Sequence, residues 1–482
     1  MPEPTKKYVI CDPVHGFIEV SHFARLLMDT KYFQRTNKLA ALSIKKNVYP
    51  GAEHTRKIHM LGTYHKTVVA LNHIKENQPE SNITEVDTLC VSIAALLHDI
   101  GHGPFSHTYE RFVKKINPGT DFTHENATKE MIKMIFEQYP DIKTEFDSKF
   151  TEDDYIFIGE CISPPESFLD KDNNWVLKGR PIEKSFLYEF VSNIHSGLDV
   201  DKFDYLLRDP QMAGIKDPPF GIDSLHRIIT NCKVVMDPKL KYHRLAYAIK
   251  VRGNVESVFI ARMNLYTKLY FHKTCVSYER MLLDLWKKAD DHIEYISQDG
   301  RSYKLSEVHK DIELYSKVTD EVVMTNISMS TSPELEPSRN MLNQLAERKF
   351  HKQIHDFDSK MLKNYTINQV EEEIMNNCDL QIDHEDFFVN IRLMHMGQGL
   401  DRDPMRSVLF YDKMGNILDN CSLEKKPQFV GGCIDGTVYV NYDLSDEKKK
   451  AIKKSAEKFS SKLEAQGRVH VLKTESDIKT IQ

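Results

Sequence analysis

Cysteine is sparse and scattered. The 8 cysteines (Cys11, Cys90, Cys161, Cys232, Cys275, Cys378, Cys421 and Cys433) form no Cys-x-x-Cys pair. That excludes a zinc ribbon and a small disulfide scaffold, and free thiols in so long a chain fit a reducing interior, nuclear or cytoplasmic. Long apolar runs are also missing. None reaches the ~18 residues that span a bilayer, so no membrane partner is expected. The start, Met1-Pro2-Glu3-Pro4-Thr5-Lys6-Lys7, lacks the apolar segment of a secretory signal. Nor is there an excess of basic charge: 71 Asp and Glu stand against 65 Lys and Arg, a net charge of -6. A dedicated nucleic-acid coat is thereby excluded, while a local basic groove stays open, with single-stranded nucleic acid as a candidate partner. A chain of 482 residues with 40% hydrophobic and 28% charged residues, 20 Gly and 19 Pro is neither collagen-like nor low-complexity nor wholly disordered. By the rough prior of ~150 residues per domain it holds about three domains, or one large domain with an appended lobe.

What the chain does have is a helical first part and a different second part. Helical periodicity dominates the first ~315 residues. The clearest helix runs from about Glu85 to Ile100, with Thr84 and Asp87 as a capping box, Val86, Leu89, Cys90, Ile93, Leu97 and Ile100 on one stripe, and Gly101 and Gly103 as its end. Gly197 to Asp209 is charged but helix-permissive, with Pro210 as a stop. Apolar helical spacing recurs at Val258, Ala261, Leu265 and Leu269, and at Leu282, Leu285 and Trp286. Ser328 to Pro337 reads as a loop. Beyond it, Phe387 to Leu393 and Val408 to Tyr411 read as strands, the latter followed by a Gly415-Asn416 turn. Asp435-Gly436 reads as a hairpin turn before the strand Thr437 to Val440. A charged amphipathic helix, Asp446 to Gln466, and a short strand, Val469 to Leu472, close the chain. The lysine run Lys448 to Lys454 reads as a solvated helix face. The expected fold is mainly α: a helical domain over residues 1–320, then a smaller C-terminal α/β lobe over 321–482.

Histidine carries the chemistry. Of 21 histidines, eight lie between His54 and His124: His54, His59, His65, His73, His98, His102, His107 and His124. Imidazole is the commonest metal ligand and the usual acid or base near neutral pH. His98-Asp99 offers one nitrogen and one oxygen ligand at a helix end beside the glycine-bearing stretch Gly101-His102-Gly103. Upstream, Arg56 and His59 are i, i+3 neighbours on one helix face. Downstream, Asp201, Tyr205 and Arg208 share a face, and Lys202, Tyr205 and Asp209 share the adjoining one. Faces so charged rarely serve a core.

This H…HD…D order resembles the signature of the HD phosphohydrolase superfamily, in which His59, His98, Asp99 and Asp201 match the metal ligands. A mixed N/O set of two imidazoles and two carboxylates suits one divalent transition metal: Fe, Mn, Zn or Ni. A closer resemblance rests on Asp12-Pro13-Val14-His15-Gly16-Phe17-Ile18-Glu19, Phe33-Gln34-Arg35, Tyr49-Pro50-Gly51-Ala52, His102-Gly103-Pro104-Phe105-Ser106-His107, Thr123-His124-Glu125, Lys178-Gly179-Arg180-Pro181 and Asp199-Val200-Asp201-Lys202. In this order they resemble the SAM-and-HD-domain dNTP triphosphohydrolase family of animals, from about Lys7 to about Asp320 and weakly beyond. A SAM domain is not expected, because the matching motifs begin almost at Met1.

The resemblance implies cleavage of a dNTP to deoxynucleoside and inorganic triphosphate, in control of the dNTP pool, with Mg on the substrate phosphates. It implies Arg56, Lys202 and Arg262 as the phosphate clamp, His102 and His107 on the α-phosphate side, and His124, paired with Glu125, as the acid/base. Tyr205, Asp209 and Tyr270 match the sugar pocket and Leu42 an apolar sugar contact. The chain departs from the family at three positions. Ala41 and Phe271 stand where it has glutamines, and Tyr266 where it has a histidine. Lost polar contacts relax substrate choice, which leaves open hydrolysis of another nucleotide, or a nucleotide- or nucleic-acid-binding regulator with little catalysis.

The resemblance also implies a homo-oligomer, a dimer or a tetramer, assembled by a GTP or dNTP effector. Asp29, Gln34, Lys250 and Asn254 match effector-site residues. But Asn37, Asn231 and Ala248 replace arginines there, and Tyr8 and Cys11 replace a lysine and an asparagine. Arginine is the usual multidentate phosphate grip, so the effector site is expected to be eroded.

Overall fold

The computed structural model describes residues 8–358, 360–397, 399–400, 402–418 and 432–479, with side chains of the last helix described through Gln466. Residues 1–7 and Cys421 lie outside them. The chain is mainly helical, with four small sheets among the described residues. No described helix is long and apolar enough to cross a membrane.

The helices Arg56–Asn77 and Glu85–Leu97 form the centre. Thr84 and Asp87 close the expected capping box. Burial of Cys90, Val91, Ser92, Ile93, Ala94, Ala95, Leu96 and Leu97 in succession shows that this helix is enclosed on most of its circumference rather than along one stripe. It ends at Leu97, earlier than expected, so His98 and Asp99 occupy the turn beyond it. Gly101 has a packing task beyond that end. A Cβ there would lie 2.3 Å from both the His124 carbonyl and the Thr128 amide, so glycine lets the helix His124–Gln138 dock against this turn.

The helix Val200–Met212 starts at the cap Asp199 and runs two residues past Pro210. The proline falls in the last turn, so few helical hydrogen bonds lie beyond it to be disturbed. The helices Arg252–Leu265 and Lys273–Ala289 flank a π-turn, Tyr266–Tyr270. Val258, Ala261, Leu265, Leu269, Leu282, Leu285 and Trp286 are all buried. The expected loop at 328–337 is mostly helical: Asp320–Met329 reaches into it, residues 330–332 are irregular, and Pro333–Leu335 and Glu336–Ala346 follow. Pro333 and Pro337 sit in first turns, where proline is tolerated because its missing N–H has no partner to lose.

The continuous core extends from Ile18 through Leu335 and Leu345. A separate cluster draws on Phe357, Val389, Val438, Ile452 and Phe459. There the strand Cys433–Val440 lies between Lys352–Asp358 and Phe387–Met394, antiparallel to both. Asp435-Gly436 is not a hairpin turn but the middle of that strand. A Cβ on Gly436 would approach the Phe357 ring to 2.9 Å, so the glycine serves close packing. The strand Leu409–Tyr411 pairs in parallel with His243–Ala248, stitching the later chain to the helical part, and the Gly415-Asn416 turn links it to Ile417–Leu418. The last helix, Asp446–Lys479, runs through 469–472, where a strand was expected; a four-residue apolar run does not by itself distinguish the two. Lys450, Lys453 and Lys454 lie on its solvated side, opposite the buried Ile452 and Ala456.

Candidate functional site

The two central helices, the turn after Leu97 and the helix Val200–Met212 bring together residues far apart in sequence. Asp201 Oδ1 lies 2.9 Å from His59 Nε2 and 3.5 Å from His98 Nε2. Asp99 Oδ2 lies 3.5 Å from each of the same nitrogens. His59, His98 and Asp201 therefore present ligand atoms to one spot, and Asp99 lies beside them with its Oδ2 also held by Arg56. His98 donates from Nδ1 to the Ala95 carbonyl at 2.9 Å, which fixes its tautomer and leaves Nε2 buried with no hydrogen-bond partner. His59 directs Nδ1 to Asp204 Oδ2 at 2.7 Å, freeing its own Nε2 in the carboxylate–histidine arrangement of metal sites. Burial disfavours the charged form of His59, but Asp201 and Asp204 outweigh it and raise its pKa to about 10. Burial likewise opposes charge on Asp201, and His59 and His98 hold it well below the carboxylate range. So negative a site, with one orphaned imidazole nitrogen, fits a divalent cation.

Sequence reasoning missed the groups that hold these ligands. Asp204 is buried, takes two bonds from Arg208 at 2.8 and 2.9 Å and one from His15 Nε2 at 2.6 Å. Arg208 also donates to Asp12 at 2.9 Å, and Asp12 accepts the His15 amide at 2.8 Å. The Asp12-Pro13-Val14-His15 motif thus backs the metal ligands. The available signal was spacing: Asp201, Asp204 and Arg208 fall at i, i+3 and i+7 on one helix face. Gly62 allows this approach, since a Cβ there would lie 1.9 Å from Asp204 Oδ1.

A cavity of about 630 Å³ opens beside the ligands. His107 and His124 line it and His102 is buried behind them: His102 and His124 stack at 4.0 Å, and His107 meets His102 edge-on at 4.7 Å. Burial, then Arg56 and His124, hold His102 far below the usual imidazole value and bring His107 to about 3, so both are neutral at working pH. His124 takes its main partner from Glu110, not Glu125: Nδ1 to Glu110 Oε2 is 2.8 Å, whereas Nε2 to Glu125 Oε1 is 3.4 Å. Glu110 stands one turn after His107 on the helix His107–Ile116, which faces His124. Burial would raise its carboxyl, but His124 and Lys114 bring it to about 2.

Leu42, Arg56, Lys202, Tyr205, Asp209, Arg262 and Tyr270 all line the cavity. Arg56 is committed within the site, donating to Asp99 at 2.6 Å, Ser106 at 2.9 Å and the Ala41 carbonyl at 3.3 Å. Lys202 lies 3.1 Å from Asp199. Arg262 donates to the Tyr205 and Tyr266 hydroxyls at 2.8 and 2.9 Å. Tyr270 donates to Asp209 at 2.5 Å, and His54 meets the other Asp209 oxygen at 3.0 Å. Tyr266, at one of the departing positions, stacks on Phe271, at another. None of the four effector-site candidates lines this cavity. Asp29 pairs with Arg25 at 3.4 Å, Gln34 bridges the Met28 carbonyl and Lys57, Asn254 bonds Ser224, and Lys250 is exposed.

The HD domain family model matches residues 56–152. The chain is 35% identical over 423 residues to the deoxynucleoside triphosphate triphosphohydrolase SAMHD1 of Homo sapiens, covering 84% of this chain and 65% of that protein. It is 34% identical over 417 residues to SAMHD1 of Bos taurus, with 84% and 69% covered. It is 27% identical over 461 residues to the putative HD domain-containing protein L394 of Acanthamoeba polyphaga mimivirus, with 89% and 90% covered. The chain thus spans just under two thirds of the human relative's length.

Proposed function

The chain belongs to the HD-domain family of the SAMHD1 deoxynucleoside triphosphate triphosphohydrolases, and from that membership we propose that it hydrolyses dNTPs to deoxynucleoside and inorganic triphosphate. The observation that carries the reading is the convergence of His59, His98, Asp99 and Asp201 beside a cavity lined by both cations and a sugar-sized polar pair, Asp209 and Tyr270. These four residues would hold one divalent transition metal: Fe, Mn, Zn or Ni. Such a cation supplies charge neutralisation at a phosphate and a water acidic enough to attack at neutral pH.

The chain's own groups have distinct tasks in this reading. Arg262, Lys202 and Arg56 offset the charge of a triphosphate, which enters with Mg. Neutral His102 and His107 donate hydrogen bonds on the α-phosphate side. His124, oriented by Glu110, gives a proton to the 5′-oxygen as the Pα–O5′ bond breaks, and water adds to Pα. Asp209 accepts the 3′-hydroxyl, and the Tyr270 ring occupies the space a 2′-hydroxyl would need. By this activity the protein would act in dNTP pool control.

One specific observation keeps a second reading in play: Ala41 and the Tyr266–Phe271 stack present an apolar wall, which restricts substrate choice less than a hydrogen-bonding one does. Purified protein incubated with each dNTP and NTP, with products resolved and metal content measured, tests both. Tripolyphosphate plus deoxynucleoside is expected. Release of monophosphate or pyrophosphate overturns it in favour of another nucleotide hydrolase, and binding without turnover in favour of a regulator.

A further inference from the structure

Lys45 differs from every other cation that lines the cavity. It opens the short 3-10 turn Lys45–Asn47, with its backbone amide on the Leu42 carbonyl at 3.1 Å. It is only 7% exposed and faces the cavity. Among the described residues its ammonium meets no hydrogen-bond acceptor and no carboxylate within ion-pair distance. The others are supplied: Arg56 by Asp99, Lys202 by Asp199, Arg262 by two tyrosines and Arg111 by Glu279. An ammonium has three donors, and among the described residues nothing accepts from this one where its otherwise buried side chain reaches the cavity. The missing acceptor therefore belongs to whatever fills the cavity.

The wall around Lys45 says which part of a nucleotide that is. Ser43 bonds Thr108 at 2.8 Å, and Thr108 donates to Glu279 Oε1 at 2.7 Å. Burial would raise the Glu279 carboxyl, but Lys45 and Arg111 bring it to about 2, so it stays ionised. A carboxylate here repels phosphate, and the candidate phosphate cations Lys202 and Arg262 come from a different wall, built by the helices Val200–Met212 and Arg252–Leu265. Leu42, three residues from Lys45, lines the sugar side. What remains to be contacted is the base. An ammonium beside a carboxylate calls for an acceptor beside a donor. A keto oxygen next to a ring N–H offers that pair, as in guanine (O6, N1–H) and thymine (O4, N3–H). In the register that sets the exocyclic group against Lys45 and the ring nitrogen against Glu279, adenine and cytosine instead turn an amino donor to the ammonium and an acceptor nitrogen to the carboxylate.

We propose that Lys45, together with Glu279, reads the nucleotide base and selects keto-edged bases; this rests on the nucleotide-hydrolase reading of the cavity. Binding of dGTP, dTTP, dITP, dATP and dCTP to the chelator-treated full chain would be measured by calorimetry, alongside kcat/KM with metal. The keto-edged substrates, dITP included, should bind about 10- to 100-fold more tightly than dATP and dCTP, as a buried hydrogen-bonding site discriminates. Lys45→Met should close the gap, and Lys45→Arg should retain part of it. Equal affinities in the wild-type chain overturn the proposal. So does a gap that survives Lys45→Met, or dITP behaving like dATP, a comparison that needs no variant to fold. A Lys45-dependent gap without turnover would sink the hydrolase reading and leave base reading standing; turnover of all four dNTPs without a gap would do the reverse.

Discussion

At the scale of single residues, the metal ligands and the groups that aim them have different sequence visibility. His98-Asp99 could be read as an adjacent imidazole and carboxylate at a helix end, but its ligand role, like those of His59 and Asp201, only through the resemblance to the HD motif order. Asp204 could not, although it is as buried as any ligand, because its role depends on Arg208 from the same helix and on Asp12 and His15 from the antiparallel pair Tyr8–Asp12 and Gly16–Val20 and its turn. Its effect is calculable in direction. Asp204→Asn removes one carboxylate shared by His59, His15 and Arg208, and leaves the buried guanidinium with Asp12 alone. Loss of an outer-shell carboxylate typically weakens metal affinity about 10- to 100-fold, and breaking a buried ion pair costs about 3 kcal/mol. Metal occupancy by mass spectrometry after dialysis, read together with a denaturation curve, measures both. Wild-type metal retention in a destabilised variant would show that Asp204 only supports the fold.

At the scale of elements, the turn that carries His102 and His107 is held in a costly conformation: Phe105 and Ser106, neither of them glycine, have φ of 56° and 57°. Strain of that kind persists only where neighbours over-determine it. Here the first residue of the helix Asp320–Met329 does so, since Asp320 accepts the Phe105 amide at 2.6 Å and the Ala40 amide at 2.9 Å. Burial raises the Asp320 carboxyl to about 6, against the pull of those two amides and of Lys46 and Arg35. A raised folded-state value means the folded chain binds this proton more tightly than the unfolded one. Stability from this group is therefore fullest below the ordinary aspartate value near 4 and is lost as pH rises through about 6. Asp320→Asn abolishes that titration. Relative to wild type, the variant should gain roughly 2 kcal/mol between pH 4.5 and pH 7.5, read from urea unfolding at the two values; an unchanged difference would assign the titration elsewhere. The sequence could not disclose this latch, because it links residues 280 and 215 positions apart. Local signals fared better where they were local. Thr84 and Asp87 announced a helix start, and Gly415-Asn416 a turn. Pro333 and Pro337 misled because proline opens helices as readily as it ends them, and Asp435-Gly436 because the glycine answers to the Phe357 ring.

At the scale of the whole molecule, the cavity draws its lining from residues spread between Ala41 and Glu279. The surface that resembles an effector site shares none of that lining. Three of its four matching residues are already engaged within the chain, Asp29 by Arg25, Gln34 by Met28 and Lys57, and Asn254 by Ser224. The positions that resemble arginine sites hold no cation: Asn37 accepts from Thr55 at 3.4 Å, Asn231 donates to the Arg227 carbonyl at 2.8 Å, and Ala248 is buried in a strand. A polyphosphate wedged between copies must have its charge offset by bidentate donors, and here those donors are missing from one side of the contact. Assembly driven by nucleotide should accordingly be weak, and catalysis should not wait for it. Sedimentation of the full chain with and without GTP plus dATP should show the same species, and initial rates on dATP should change by less than about 3-fold when GTP is added, well short of the 5- to 150-fold typical of allosteric coupling. A clean shift from dimer to tetramer with a matching rise in rate would mean that lysines such as Lys57 and Lys250 replace the lost arginines, and that the surface still senses nucleotide.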